Sequence, residues 1–149
     1  MATLNAGMEG LLISKGYTSN DAGTGLLDLI KASPSAVTLL NQFAVTYGVD
    51  SRRIDVSTSL GTSFNSDRRT VIIAASELAN TATPEARATN VLRLIHEVKH
   101  AVGIDGTGAG GVIGFESARN PIEYRDQRSM SEGLSQSAEF AVREDIKFA

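Results

Sequence analysis

The chain has 149 residues, 42% of them hydrophobic and 21% charged, the composition of one globular domain (1–149) able to bury its own core. Its net charge of −3 gives no electrostatic case for nucleic acid or an anionic membrane, and no apolar run reaches the ~20 residues of a membrane span. Cysteine is absent, which excludes disulfides and thiolate ligands, so any metal must be held by nitrogen and oxygen.

The opening segment, MATLNAGMEGLLISKGY, has no basic region leading into an apolar stretch. It predicts no secretory signal, hence a cytoplasmic protein or one delivered without a signal. Residues 1–50 read as helical, with segments at 24–32 and 35–47. Ser33 and Pro34 break them apart, and Gly48 closes the second. The pattern then changes. Residues 52–59 (RRIDVSTS) alternate and 68–76 (RRTVIIAAS) form a β-branched run, so each predicts a strand. The turn-rich LGTSFNSDR between them predicts a hairpin or a looser antiparallel pair.

The best-marked element is a helix over 84–102. Thr83 suits the N-cap, Pro84 the first helical position, Glu85 the positive end of the helix dipole, and Gly103 the stop. Val91, Leu94, Val98, Ala101 and Val102 share one side of this helix, while His96 and His100 fall roughly opposite. Those are the only two histidines in the chain, and with Glu97 they spell H-E-x-x-H. Residues four apart lie one turn apart on a helix, so both imidazoles can reach one ion at about 2.0–2.1 Å. Glu97 projects about 100° round from His96, which suits a general base that takes a proton from water while the ion polarises a carbonyl. A catalytic zinc site needs a third protein ligand.

Three acids compete for that place: Glu132, Glu139 and Asp105. The HExxH helix resembles that of the zincin metallopeptidases. Within them the segment Glu132-Gly133-Leu134-Ser135 is similar to the E-G-[L/F]-[A/S] context of the gluzincins, whose third ligand is a glutamate on a later helix. The resemblance covers 91–103 closely and 130–140 more loosely, and it implies Glu132 as that ligand. The residues also admit a different reading, in which Ser129-Met130-Ser131-Glu132 is a capping box and Glu132 only closes the start of its helix. Glu132, Gln136, Glu139 and Arg143 then share a wet face opposite Met130, Leu134, Ala138 and Ala141. Asp105 would follow the metzincin continuation of the motif, but the ligand position there falls on Gly106, one residue later. GTGAGG at 106–111 lacks the lysine of a phosphate loop and reads as a mobile rim of the cleft. Tyr124, Arg125 and Arg128, placed in a loop before the last helix, are candidate oxyanion partners.

The expectation is therefore an α+β, zincin-like domain. N-terminal helices back a small, mostly antiparallel sheet, the 84–102 helix carries the motif, and a 130–146 helix closes the site. The resemblance implies one zinc per chain, hydrolysis of peptide bonds in a peptide or protein substrate, and an endopeptidase rather than an exopeptidase. By analogy of size the chain is also similar to the metallopeptidase domains of bacterial effectors and polymorphic toxins. The contrasting expectation is a non-catalytic binding module with a structural or vestigial metal site. Oligomeric state is not legible.

Overall fold

In the computed structural model, residues 3–103 and 121–147 are described, with side chains for 3–103 and 130–147. Three helices come first. Helix α1 (Ala6–Lys15) starts where Asn5 accepts the Met8 N–H and stops at Gly16, whose φ of 110° suits glycine. It was not separable in the sequence from the rest of the first fifty residues. Helices α2 (Leu26–Ala32) and α3 (Pro34–Tyr47) meet at Ser33, as the Ser33-Pro34 break predicts. Ser33 ends α2 and caps α3, accepting the Ala36 N–H at 3.1 Å. Leu26, Leu27, Ile30, Val37, Leu40 and Phe43 go into the core, each worth about 1.5–3 kcal/mol of burial.

The sheet corrects the antiparallel expectation. Strands β1 (Ile54–Ser57), β2 (Ser63–Asn65) and β3 (Thr70–Ala74) lie in the order β1-β3-β2. β1 runs parallel to β3, with Ile54 opposite Val71, and only the short β2 is antiparallel to it. The two β-branched segments thus form no hairpin. The turn-rich stretch between them carries the chain to the far edge, lays down Ser63–Asn65 as a strand, and returns through a turn. Asn65 Oδ1 accepts the Arg68 N–H at 3.0 Å to fix that turn. β3 is buried at every position, as a central strand must be. Ile54, Val71 and Ile73 join the common core, whereas Thr70 and Ile72 point to the other face.

After the one-turn α4 (Ala75–Leu78), helix α5 (Pro84–Val102) has the predicted ends. Thr83 accepts the Ala86 N–H, Pro84 occupies the first turn, and Gly103 stops the helix at φ 81°. The Tyr47 hydroxyl donates to the Ala101 carbonyl and ties the last turn of α5 to α3. Helix α6 (Pro121–Lys147) starts well before residue 130, so Tyr124, Arg125 and Arg128 lie in a helix and not in a loop. Their side chains lie outside the described residues, as do Asp105 and the 106–111 segment. Helix α6 packs mainly on α5 and is anchored to the α2–α3 corner. There Asp145 accepts from the Ser33 hydroxyl at 2.8 Å and the Ser35 N–H at 2.9 Å. Among the described residues no helix is long and apolar enough to cross a membrane.

Candidate metal centre

The α5–α6 contact explains why this site is built from two helices. Val91, Leu94, Val98, Ala101 and Val102 enter the core as the periodicity predicts. The opposite face of α5 is not left to solvent, because α6 covers it. Among the described side chains of α6 the buried ones are Ser131, Ser135 and Val142, and the small residues there let the two backbones approach. This corrects the expected apolar face: Met130 is 51% exposed, and Glu132 and Glu139 stand at the border of the buried face instead of opposite it. Ser129 is interior to a helix that begins at Pro121, so it cannot be the N-cap that the capping-box reading of Glu132 requires.

Three ligand-type side chains converge between the helices. His96, His100 and Glu132 each present one donor atom, all within 4.8 Å of one another, a group that could hold a metal ion. His96 Nε2 lies 3.2 Å from His100 Nε2 and 3.2 Å from Glu132 Oε2, and His100 Nε2 lies 2.7 Å from Glu132 Oε1. Two tetrahedral ligands at the usual zinc distances stand about 3.3 Å apart, close to the spacing of the two imidazole nitrogens. The two Glu132 contacts use different carboxylate oxygens, the shorter one at a hydrogen-bond length, so holding an ion would need a rearrangement of the Glu132 side chain.

The outer nitrogens set the inner ones. His96 Nδ1 is 3.0 Å from Glu139 Oε1. An ionised carboxylate only accepts, and Glu132 offers one to Nε2 at 3.2 Å as Glu139 does to Nδ1; in the tautomer with the proton on Nδ1, Nε2 would be free to ligate an ion. His100 Nδ1 is 2.7 Å from the Ser131 hydroxyl, which accepts that N–H when the ring is in the ligating tautomer. Glu139, an alternative third ligand in the sequence, thus sits behind His96 and not among the inner donors. Ser131 was missed. Its signal was the run of small residues at Ser131, Ser135 and Ala138, whose spacing marks the face against α5.

Glu97 completes the arrangement. Its Oε1 is 4.0 Å from His96 Nε2, and its buried Oε2 has no hydrogen-bond partner among the described residues. Burial raises the Glu97 pKa to about 6; the His96 imidazole opposes this, and the carboxylates of Glu132, Glu139 and Glu77 reinforce it. A buried carboxylate with an orphaned oxygen, near two other carboxylates, is an unbalanced negative site that a cation would relieve. The residues fit the group. The Glu132 side chain is 44% exposed and that of His100 only 7%.

No protein-family model matches this chain, and neither a curated protein nor a solved structure matches it.

Proposed function

We propose that the chain is a zinc-dependent hydrolase acting on peptide bonds, with His96, His100 and Glu132 as metal ligands and Glu97 as general base. The observation that carries this reading is the convergence of three lone-pair donors beside a buried, otherwise unpartnered carboxylate. Zinc is favoured over magnesium or calcium because two of the three donors are imidazoles. Zinc held in this way supplies Lewis-acid polarisation of the scissile carbonyl and a water of lowered pKa.

The chain's own residues supply the rest. Glu97, ionised at neutral pH, accepts the proton of the attacking water and returns it to the leaving amine as the carbon–nitrogen bond breaks. Glu139 and Ser131 hold the two imidazoles by their outer nitrogens, so the rings need little reorganisation. Catalysis is favoured over a purely structural metal because the buried Glu97 carboxylate beside the three donors has an oxygen with no hydrogen-bond partner among the described residues.

The test is a Glu97→Gln variant assayed against a mixed peptide library. It should retain zinc and fold while losing turnover by about 10²-fold or more, the scale of a positioned general base. Wild-type turnover in the variant would end the mechanism. A zinc-loaded wild type that cleaves nothing in the library would instead favour the non-catalytic binding module.

A further inference from the structure

A cleft lies on the sheet face opposite the core-facing Ile54, Val71 and Ile73. Arg53, Asp55, Thr70 and Ile72 alternate with the core-facing Ile54, Val71 and Ile73, and together with Ser51, Arg52 and Arg68 they line this cleft of about 440 Å³. That volume is within the range of small-molecule sites, roughly 300–1,000 Å³. The chain as a whole is acidic, with a net charge of −3, yet three guanidinium groups and the Asp55 carboxylate line this cleft, and the neighbouring Asp50 pairs with Arg52 and Arg53.

Arg53 is held in place in advance. The Arg53 side chain is only 12% exposed. Its Nε lies 3.3 Å from Asp50 Oδ2, and its Nη1 donates to the Arg69 carbonyl at 3.0 Å. Arg69 has φ 53°, the sole non-glycine residue at positive φ among the described residues, and that strained turn is what aims its carbonyl at Arg53. Backbone strain of this kind collects at binding sites. The buried Thr70 hydroxyl lies 2.8 Å from the Arg52 carbonyl and 3.1 Å from the Arg68 carbonyl, so one side chain fixes both arginine-bearing segments. Arg68 makes no ion pair among the described residues, and its guanidinium is left to a ligand.

We infer that this cleft binds a phosphate group. Guanidinium forks reach it from two separate segments, 52–53 and 68. One fork satisfies a planar carboxylate, whereas a tetrahedral oxyanion with several acceptor oxygens takes donors from more than one direction. The site is independent of the proposed zinc chemistry and stands whether or not that reading holds.

The experiment is a residue-resolved amide-shift titration of the full chain with inorganic phosphate at fixed ionic strength. Chloride is the control, and glycerol phosphate is a second arm. Saturable shifts are expected over 51–55 and 68–72 with phosphate and not with chloride. Arg68→Gln should weaken phosphate binding about tenfold, the loss of one charge-assisted fork. Because Arg68 has no ion pair to lose, the spectrum elsewhere should be unchanged, and Arg52→Gln provides a second variant with the same expected direction. Tighter binding of glycerol phosphate identifies a phosphomonoester ligand, and equal binding identifies free phosphate. Shifts centred on His96 and Glu132, chloride shifts equal to those with phosphate, or wild-type affinity in both variants would overturn the inference.

Discussion

Replacing Glu139 by alanine isolates the support of the proposed metal centre from its proposed ligands. The Glu139 carboxylate lies 3.0 Å from His96 Nδ1, where it would accept the proton in the tautomer that leaves the inner lone pair free to ligate. A charge-assisted hydrogen bond of this kind contributes about 1.5–3 kcal/mol. The Glu139 side chain is 27% exposed, and solvent screening places its share at the lower end, about 1.5 kcal/mol. That corresponds to roughly a tenfold loss of zinc affinity, at the small end of what such outer contacts are worth. Glu139→Gln, whose amide oxygen still accepts, should lose less than the alanine variant. Competition of each variant against a fluorescent zinc chelator gives the affinities, and a thermal melt of the metal-free proteins controls for the fold. An alanine variant within twofold of wild type would show that Glu139 does not position His96. A loss as large as that of Glu132→Ala would show that Glu139 is itself a ligand.

Two further predictions concern the frame around the site. Tyr47→Phe removes the hydroxyl that donates to the Ala101 carbonyl and should cost about 1 kcal/mol, read from denaturant midpoints at unchanged slope. For Asp145, burial works to raise the pKa, but the Ser35 N–H and the Ser33 and Ser35 hydroxyls outweigh it and hold the carboxyl below its ordinary value. A depressed carboxylate contributes stability that is present above the unfolded pKa, about 3.9, and is lost as the pH falls through the folded value. Wild type should therefore exceed Asp145→Asn in stability at pH 7, and the gap should close as the solution is acidified below pH ~4. A gap that persists or widens in acid would contradict the role given to this anchor.

How far the sequence reveals the fold depends on where the determining contacts lie. Helix α5 was legible to the residue because its signals are local: Thr83 and Pro84 at one end, Gly103 at the other, and a strong apolar period between them. The sheet was not. Its parallel β1–β3 pairing is a long-range contact, and the edge strand Ser63–Asn65 is three residues inside a stretch that reads as turn. The start of α6 was missed although Asn120-Pro121 repeats the capping residue and proline seen at Thr83-Pro84. His96, His100 and Glu97 were legible as a spaced motif on one helix. Glu132 and Glu139 could not be ranked from spacing alone, because they lie seven residues apart on one face of α6. Only the docking of α6 on α5 distinguishes them, turning Glu132 inward and Glu139 behind His96.

The central claim is that His96, His100 and Glu132 form one metal centre. Zinc-edge X-ray absorption on the purified protein, combined with metal analysis of the single variants, tests it most directly. One zinc per chain is expected, with two imidazole nitrogens and a carboxylate oxygen at about 2.0–2.2 Å, and strong loss of zinc in His96→Ala, His100→Ala and Glu132→Ala. A full equivalent of zinc retained in all three variants, or a first shell without imidazole, would contradict it.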